Sequence, residues 1–554
     1  MPKTYQNPRY PYRRSADQDS GADAAHHPVV IVGAGLVGLA AAVDLAQQGI
    51  ATVVLDDDDT VSFGSRAICF AKRSLEILDR LGLGSQLQAK GVTWNKGKVF
   101  WRGSMIYDFD LLPEGGHRWP AFINLQQYYA EEWLVERARE TGLVDLRWKN
   151  RVVAVDPGES GAALEIDTPD GAYKLTCDYL LAADGARSTV RRTLDLDFSG
   201  QVFRDRFLIC DVVMKADFPS ERWFWFDPPF HPGQSALLHR QPDNVWRIDL
   251  QLGWDADPEE EKRPERVMPR LKAMLGEDVD FEIDWVSVYT FQCRRLERFR
   301  HGRIFFIGDS AHQVSPFGAR GGNGGLQDSD NLCWKLAAVL KGEAAERLLD
   351  SYDAERIPAA DENILNSTRS TDFITPKNAI SQAFRDATLE LAADYPFARQ
   401  LVNSGRLSRP ATLAGSALLT MPEAAQPGLP VGAPCADAPL TRGNERTWLL
   451  QLLSGGFFGL HYRGAGAAPE NEDHVARLAE AEPKLPVLTI RSPDAAAGDR
   501  ETAWVDSEGL FAERYGAGPG SFYLVRPDQH LAGRWPALQA EAVSAAMAKS
   551  LALP

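Results

Sequence analysis

The hydrophobic residues of this chain follow two different periodicities along its length. Short apolar runs at residues 29–32, 51–55, 179–183 and 304–307 predict buried strands, and each run is followed by glycine or aspartate. Between the first two runs, apolar residues recur at helical spacing over residues 36–46, and Gly49 closes the predicted helix. Strand, helix and strand in succession predict a parallel sheet covered by helices, which is an α/β fold.

Residues 196–288 show the period-two alternation of strands instead. One face of the clearest predicted strand is apolar (Trp246, Ile248, Leu250, Leu252) and the other is polar (Arg247, Asp249, Gln251). Several aromatic residues precede it, namely Trp223, Trp225, Phe226 and Phe230. An aromatic stripe on a strand is usually core, so we interpret most of these residues as core and the segment as a sheet.

The last third of the chain begins with a proline-rich stretch. Residues 421–439 hold five prolines and predict a linker or a domain edge. Strand-like segments follow at 447–453, 485–491 and 521–535, and the last is a predicted hairpin that turns about Pro527 and Asp528. The first 27 residues are polar and lack the apolar region of a signal peptide, so a flexible tail is predicted there.

Composition and charge narrow the class of protein. Hydrophobic residues make up 44% and charged residues 25% of the chain, which is typical of globular domains. The net charge is −16 without any lysine- or arginine-rich run, so neither a nucleic acid nor an anionic membrane is an expected partner. The six cysteines are scattered without metal-ligand spacing, so no metal is expected and a reducing, cytoplasmic location is favoured.

A glycine motif follows the first predicted strand. Gly33, Gly35 and Gly38 form GxGxxG directly after the strand, with Leu36 and Val37 at the start of the helix. The glycines would allow a tight turn and a close approach of a pyrophosphate to the helix N-terminus. Asp56 ends the next strand and could bind ribose hydroxyls, and the acidic run 56–59 would repel a 2′-phosphate. The motif favours FAD or NAD over NADP, and a glycine-rich turn without a ligand is the alternative.

Two further predicted strands end in an aspartate and a glycine. The strand at 179–183 leads into Asp184-Gly185, and the strand at 304–307 leads into Gly308-Asp309. Taken singly, each pair predicts only a turn. The second pair is followed by five glycines within residues 318–325 and by a helix predicted to start near Leu326. An ordinary turn does not need so many glycines, which indicates that the backbone approaches a ligand closely.

In this order, the three motifs resemble those of the aromatic-ring hydroxylase family of FAD-dependent monooxygenases. These are single-component class A flavoproteins with the p-hydroxybenzoate hydroxylase fold, and the chain resembles their phenol hydroxylase-like branch over about residues 28–375. The resemblance implies an α/β fold: a Rossmann-type FAD-binding domain, an inserted β-sheet substrate domain and a C-terminal thioredoxin-like domain. No CxxC pair is present, so a structural role is expected for the last domain.

The expected domain boundaries follow from the motifs and the resemblance. The FAD-binding domain comprises residues 28–195 and 289–375, and the β-sheet substrate domain comprises residues 196–288. A helical connection over residues 376–420 leads to the thioredoxin-like domain at residues 421–554, and the flexible tail covers residues 1–27.

The resemblance also implies the residues that contact FAD. They are Gly33, Gly35, Leu36, Val37, Gly38, Asp56, Arg66, Gln127, Asp184, Gly308, Asp309, Pro316, Gly318, Gly321, Gly322 and Asn323. Asp309 would bind the ribityl hydroxyls, and the helix after the glycines would direct its positive end at the flavin and favour the anionic reduced form. Gln127 is preferred over Gln126 as the start of the Q-x₆-L helix motif.

The implied activity is NAD(P)H- and O2-dependent hydroxylation of a phenolic or related aromatic compound through a flavin C4a-hydroperoxide. The implied catalytic residues are Arg66 near the nicotinamide, Pro316 beside the oxygen-reacting carbon, and His239 and Tyr289 as groups that could deprotonate or orient a phenol; His231 and Arg240 stay open as further candidates. Such a pocket must be apolar and poor in water. The enzyme is expected to be a cytoplasmic homodimer active on small aromatic molecules.

Three other functions remain open from the sequence. A flavin-dependent halogenase could use the same FAD domain, but the chain has no WxWxIP element, and residues 224–230 are a poor match to it. A flavin-dependent dehydrogenase or oxidase is the second alternative. The third is a catalytically silent FAD-binding protein that uses its C-terminal domain for assembly.

Overall fold

The computed structural model describes residues 4–19, 24–64, 66–216, 218–402, 408–464, 474–475, 477–478, 480, 484–494 and 503–553. These residues form three large sheets and one small sheet, with helices packed on them. Within these ranges no helix is both long enough and apolar enough to cross a bilayer.

The first sheet, here called the nucleotide sheet, has eight strands. Their order is Arg300–His301, Ile304–Phe306, Tyr173–Ala182, Ala25–Val32, Thr52–Asp56 and Val144–Trp148. Ala162–Asp167 also pairs with Tyr173–Ala182, and Arg151–Pro157 pairs with Ala162–Asp167. The central four pairings are parallel. All four strands predicted from apolar runs are therefore confirmed. Because parallel strands end at one edge, the three sequence motifs meet there.

Helices cover the nucleotide sheet and carry the motifs. They span Leu36–Gln47, Lys72–Leu78, Asp79–Leu83 (a π-helical turn), Gly84–Lys90, Gln127–Thr141, Thr189–Thr193, Gly321–Leu340 and Ser351–Ile374, with short 3₁₀ turns at Ala16–Asp19, Gly308–Ser310 and Glu346–Asp350. The helix expected near Leu326 begins at Gly321, so that prediction was wrong by five residues. Four of the five glycines lie inside this helix, here called the glycine helix, although glycine is a poor helix former.

The second sheet, here called the roof sheet, covers the strand ends of the nucleotide sheet. Its order is His312–Gln313, Phe281–Leu296, Phe198–Met214, Val245–Leu252, Ser235–Arg240, Arg222–Phe226, Lys96–Trp101 and Ser104–Asp110. The last two strands come from outside residues 196–288. A small three-stranded sheet, Cys69–Ala71, Phe122–Asn124 and Val92–Trp94, lies between the two large sheets.

The two faces of the roof sheet differ as the alternation predicts. The apolar face, which includes Trp246, Ile248 and Leu250, is buried against the helix Pro264–Leu275 through Val267 and Leu271. A shorter helix, Pro258–Glu261, precedes it. The opposite face carries the polar alternate residues and is also largely covered, since Arg247 and Gln251 are buried.

The C-terminal region forms the third large sheet. Its order is Glu445–Trp448, Pro439–Arg442, Trp504–Val505, Val487–Arg491, Phe458–Arg463, Phe522–Val525 and Leu531–Trp535, with helices at Leu449–Leu452, Leu510–Tyr515 and Ala540–Ser550. The hairpin about Pro527 and Asp528 is confirmed. The strand expected over residues 447–453 was wrong beyond Trp448, since a helical turn follows. Helices Ala379–Asp394 and Pro396–Arg399 precede this region.

The N-terminal segment, expected to be a flexible tail, lies against the first domain where it is described. Tyr10 is buried and stacks on Trp148 with ring centroids 4.6 Å apart. Tyr5 stacks on Tyr128 at 3.9 Å and donates a hydrogen bond to Glu132 at 2.7 Å. The segment is polar on average, but its tyrosine rings supply the apolar area that packs on the first domain.

Candidate cofactor site and active site

The first glycine turn lies where two parallel strands end. Gly33 has φ +106°, and a Cβ at this position would lie 2.5 Å from the Ala183 carbonyl oxygen. A Cβ at Gly38 would lie 2.0 Å from the Gly33 carbonyl oxygen. Both positions therefore require glycine, as the motif predicts, because backbone crosses backbone there.

The start of the first helix is held by carboxylates. Glu131 is buried and accepts a hydrogen bond from the Leu36 N–H at 3.1 Å and another from the Ser62 N–H at 2.7 Å. Asp56 accepts from the Ala34 N–H at 2.6 Å and from the Asp58 N–H at 2.8 Å. Burial raises the pKa of Asp56 to about 6. The sequence reasoning did not find Glu131, although it lies one helical turn after Gln127.

Gln127 and Gln126 face different parts of the molecule. The Gln127 side chain accepts from the Ala67 N–H at 3.1 Å and donates to Glu131 at 2.7 Å, so it lies beside the glycine turn. Gln126 donates instead to the Pro242 carbonyl of the roof sheet at 3.4 Å. This arrangement favours Gln127 as the candidate cofactor contact.

The second and third motifs are joined by one arginine. Arg191 donates to the Ser310 carbonyl at 2.9 Å and to the Ala186 carbonyl at 2.8 Å. Asp184, at the end of the same motif, accepts from the Val190 N–H at 3.0 Å through one carboxylate oxygen. Its other oxygen, Oδ1, is buried and has no partner among the described residues. Burial raises the pKa of this carboxyl.

Asp309 and Asp328 lie on either side of Gly308. The Asp309 carboxylate is exposed to the cleft, and no donor to it occurs in the described ranges. The protein around it nevertheless raises its pKa by desolvation. Asp328 accepts from the Gly308 N–H at 3.0 Å, from His312 at 2.6 Å and from Arg356 at 2.7 Å. Burial alone would raise the pKa of Asp328, but the contacts with His312 and Arg356 lower it.

The glycine helix packs closely on the first helix. A Cβ at Gly325 would lie 2.6 Å from Val37 Cγ2, and a Cβ at Gly322 would lie 3.3 Å from Ala67 Cβ. Gly318 has φ +97°, whereas Gly321 has ordinary clearance. Because three of its first four residues are glycines, the first turn of this helix presents uncovered backbone beside Leu36, at the start of the first helix.

Asn323 is occupied by the backbone around it. Its amide oxygen accepts from the Ala71 N–H at 2.9 Å, and its nitrogen donates to the carbonyls of Cys69 at 2.8 Å and Ala319 at 2.5 Å. The side chain thus fixes the glycine helix against the small sheet. The resemblance implies that Asn323 contacts the cofactor. Since its side chain binds protein backbone, its own backbone would make that contact.

Arg66, Tyr289 and Pro316 lie around the same cleft. All three are exposed, and the charges of Asp309 and Arg66 act on the Tyr289 hydroxyl. Desolvation and Asp309 raise the pKa of Tyr289 to about 12, against the opposing effect of Arg66. Tyr289 is therefore protonated at neutral pH and can donate a hydrogen bond.

His239 has a different position from Tyr289. It is buried in the roof sheet, in register with Arg222 on one side and Arg247 on the other. Burial and these two cations lower its pKa well below the ordinary value, so the imidazole is neutral and a weak base. Arg247, the neighbour of His239 in the sheet, donates to the Arg66 carbonyl at 3.2 Å, so an arginine lies between His239 and Arg66.

Buried aromatic rings pack behind Pro316. Phe317, next to Pro316, lies 5.0 Å from Phe207 and 5.3 Å from Phe291, measured between ring centroids. A surface cavity of about 610 Å³ lies elsewhere, beside Leu194, Leu196 and Arg298, and contains none of the predicted site residues.

The residues of the cleft fit a bound dinucleotide flavin. The glycines at the start of the glycine helix leave its backbone uncovered, the N-termini of two helices converge, and Asp309 faces the opening. The buried Oδ1 of Asp184 would gain a donor from a ligand hydroxyl. This donor and acceptor set suits a molecule with a pyrophosphate, a polyol and a ring system.

Comparison with known proteins agrees with this geometry. The family model described as FAD binding domain matches residues 26–367. The chain is 32% identical over 523 residues to 6-methylpretetramide 4-monooxygenase of Streptomyces rimosus, covering 91% of this chain and 90% of that protein. It is 30% identical over 342 residues to para-nitrophenol 4-monooxygenase of Pseudomonas sp. (strain WBC-3), covering 59% of this chain and 82% of that protein.

The solved structure of the flavin-dependent monooxygenase PieE, in complex with FAD and substrate, has the same fold. Its TM-score is 0.80 at 24% identity, and the match covers 96% of this chain and 99% of that one. The chain therefore belongs to the FAD-binding-domain family and is an FAD-dependent monooxygenase of the class that hydroxylates aromatic and polyketide compounds. Enzymes of this class use NAD(P)H and O2 with the flavin.

Proposed function

We propose that this enzyme hydroxylates a phenolic or related aromatic compound, with NAD(P)H as reductant and O2 as the source of oxygen. The observation that carries the proposal is the cleft where the three motifs meet, with the exposed residues Arg66, Pro316 and Tyr289 around it. The buried rings of Phe207, Phe291 and Phe317 pack behind Pro316, and an apolar wall of this kind suits a planar ring and keeps water away from the reacting atoms.

The residues of the cleft would hold the cofactor at both ends. Gly33, Gly35, Gly38 and the first helix would bind the pyrophosphate, and Asp309 would bind the ribityl chain. When bound, FAD would accept electrons from NAD(P)H and activate O2. The start of the glycine helix would place its positive end near the ring system, which favours negative charge there.

Arg66 and Tyr289 would act on the substrates. Arg66 is exposed at the cleft and carries a guanidinium suited to the pyrophosphate or the nicotinamide nucleotide. Tyr289 stays protonated at neutral pH and would donate a hydrogen bond to the aromatic compound, orienting it without deprotonating it. Pro316 lacks an N–H and would restrict the backbone beside the oxygen-reacting carbon of the flavin.

The relatives support an aromatic substrate but differ in its size. One relative is named for 6-methylpretetramide, a second for para-nitrophenol, and a third for 3-(3-hydroxyphenyl)propionate. A hydroxyl on a ring is the feature that the last two names share. We propose a phenolic compound on this basis, and a cytoplasmic homodimer as the active form.

The test measures product and oxygen incorporation together. Purified enzyme with FAD would be mixed with NADH or NADPH and a panel of phenols, under ¹⁸O2, and products would be analysed by mass spectrometry. We expect at least one phenol to stimulate nucleotide oxidation and to gain one ¹⁸O atom.

The alternatives give other results in the same assay. A dehydrogenase or oxidase would yield a product without ¹⁸O, and a halogenase would require halide. A silent FAD-binding protein would show no stimulation by any phenol, and that outcome would reject the proposal.

A further inference from the structure

The cleft-facing side of the roof sheet is organised in rows across its strands. The strand register places the members of each row side by side. The row farthest from Tyr289 is charged and consists of Trp285, Asp211, Arg247, His239 and Arg222. The next row is mainly apolar and consists of Ser287, Ile209, Asp249, Leu237 and Phe224.

In the charged row, Asp211 is satisfied by the protein itself. Its two oxygens accept from Arg247 Nε and Nη2, each at 2.9 Å, and Gln241 donates to it at 3.2 Å. Such a bidentate pair between buried partners holds two strands together. Asp211 therefore has a structural role.

Asp249, in the next row, has no comparable partner. Its neighbours across the strands are Ile209 and Leu237, which are apolar. Its Oδ1 is buried and makes no hydrogen bond within the described part of the chain, and the same holds for the Ser287 hydroxyl at the other side of Ile209. Two unsatisfied polar groups in one row of an apolar surface indicate a ligand that completes them.

This row lies on the face of the roof sheet opposite the helix-covered core, which uses the alternate residues Ile248 and Leu250. At one end of the row, Leu237 and Phe224 are buried in a second apolar cluster. The adjoining row contains Tyr289 and Phe207, and Phe207 packs on Phe317, the neighbour of Pro316. Asp249 also keeps part of its surface accessible, so protein atoms do not fill the space in front of it.

We propose that Asp249, together with Ser287 on the other side of Ile209, is the specificity-determining group for a hydroxyl on the aromatic substrate. The inference rests on the proposed function. The carboxylate would accept a hydrogen bond from a ring hydroxyl, and the Ser287 hydroxyl would bond a second oxygen of the same molecule. Ile209, which lies between the two polar groups, would contact the ring.

The energetics of the free protein agree with this role. Burial raises the pKa of Asp249 to about 6, although Arg247 and Arg222 oppose the shift. An ionised carboxylate without a partner at this place weakens the fold. Substrate-binding residues often have this effect, and their removal often stabilises the protein.

The experiment compares phenols with their O-methyl ethers. Holoenzyme would be titrated with 4-nitrophenol and 4-nitroanisole, and with anhydrotetracycline as a larger phenol, and binding would be followed by the perturbation of the flavin absorbance. Wild-type enzyme is expected to bind 4-nitrophenol at least 10-fold more tightly than its ether. Asp249→Asn should reduce this preference, and Asp249→Leu should abolish it, while the FAD content stays equal to wild type.

Melting temperature separates a binding role from a structural one. Asp249→Asn should melt at or above the wild-type temperature, because a neutral amide removes the buried charge. Asp211→Asn is the matched control on the same face, and it should melt lower because Arg247 loses its partner, yet keep the preference for phenol over ether.

Several outcomes would overturn the inference. They are a wild-type enzyme that binds no phenol or does not prefer phenols to ethers, Asp249 variants that keep the preference, and Asp249 variants that lose FAD or melt as low as Asp211→Asn. If wild type forms ¹⁸O-labelled product and the Asp249 variants keep the preference, only the role of Asp249 fails. If wild type forms no such product, the proposed function itself fails.

Discussion

Single residues at the cleft differ in whether the protein completes their hydrogen bonds. Asp328 receives three donors and has a lowered pKa, whereas Asp309, the residue after the Gly308 N–H that Asp328 binds, faces the opening with a raised pKa. We interpret the first as a support for the turn and the second as a contact for the cofactor.

Removing the Asp309 carboxylate is therefore expected to weaken FAD binding without unfolding the protein. A hydrogen bond to a charged group contributes about 1.5–3 kcal/mol, so Asp309→Ala should bind FAD roughly 10- to 150-fold more weakly. The Kd would be measured by fluorescence titration of apoenzyme with FAD. Asp328→Asn is the control, and it should instead lower the melting temperature of the apoenzyme. Unchanged FAD affinity in Asp309→Ala would contradict the assignment.

Arg66 allows a second test at this scale. Its guanidinium can bind a phosphate with two parallel hydrogen bonds, which a lysine ammonium cannot do. Arg66→Lys is therefore expected to slow reduction of the flavin by NAD(P)H about 10-fold or more, measured by stopped-flow absorbance without O2. Arg102→Lys, on an exposed arginine at the far edge of the roof sheet, should reduce at the wild-type rate. Equal rates for Arg66→Lys and wild type would exclude the role.

Some residues of the site could not be found from the sequence. Glu131 and Asp328 lie in helices, where a carboxylate normally predicts a solvated face, and only the fold places them at glycine turns. Asp249 was assigned to the polar face of its strand, but alternation alone does not tell which face of a sheet lies over a ligand. The glycines could be found from the sequence because their spacing reflects the geometry of a turn between neighbouring residues.

At the scale of elements, strands were predicted well and one helix start was not. The four apolar runs form strands of a parallel sheet. A strand that is buried on both faces needs a continuous apolar run, and such a run is visible in the sequence. The glycine helix begins five residues earlier than expected because tertiary packing against Val37 outweighs the low helix propensity of glycine. The segment 447–453 was read as one strand, but Leu449 begins a helical turn that buries its leucines in the C-terminal core.

The packing of the glycine helix gives a prediction with an internal control. In Gly325→Ala, the new methyl group would meet Val37 at 2.6 Å, and overpacking of this kind costs about 1–3 kcal/mol. In Gly321→Ala, the nearest atom is Val314 Cγ2 at 3.7 Å, so better helix propensity should leave stability equal or raise it by about 0.5–1 kcal/mol. Urea unfolding of the two apoenzymes would measure both changes. A Gly325→Ala variant as stable as Gly321→Ala would show that the two helices are not in contact there.

At the scale of the whole molecule, a buried network of charges joins the C-terminal sheet to the FAD-binding domain. Glu355 accepts from Arg526 at 2.7 and 2.9 Å, from Lys335 at 2.7 Å and from Asn331 at 2.7 Å. Arg526 also binds Asp528 in the C-terminal hairpin. Removing Glu355 leaves Lys335 charged in the interior without a carboxylate and leaves Arg526 with Asp528 as its carboxylate partner.

Glu355→Gln is therefore expected to destabilise the protein by about 3–5 kcal/mol near neutral pH. Burial would raise the pKa of Glu355, but Arg526 and Lys335 outweigh it and lower the pKa. The contribution of this carboxylate is thus present above its unfolded pKa of about 4.3 and is lost as the pH falls through the folded pKa. Thermal unfolding between pH 3 and pH 7 should show the gap between wild type and variant narrowing in acid.

Glu346→Gln provides the control for this prediction. Glu346 forms exposed ion pairs with Arg300 and Arg303, and such pairs contribute about 0–1 kcal/mol. A gap for Glu355→Gln that is no larger than the one for Glu346→Gln, or that is independent of pH, would show that the network does not join the two parts.

The origin of the roof strands limits how substrate preference can be exchanged between relatives. Strands Lys96–Trp101 and Ser104–Asp110 complete the roof sheet, although they precede residues 196–288 by about a hundred positions in the chain. A chimera that takes only the contiguous segment from a donor enzyme would pair foreign strands with native ones at Arg222–Phe226. A graft that changes the substrate must therefore include both segments of the chain. A single crossover between two genes transfers only one of the two boundaries and will rarely give a correctly paired roof sheet.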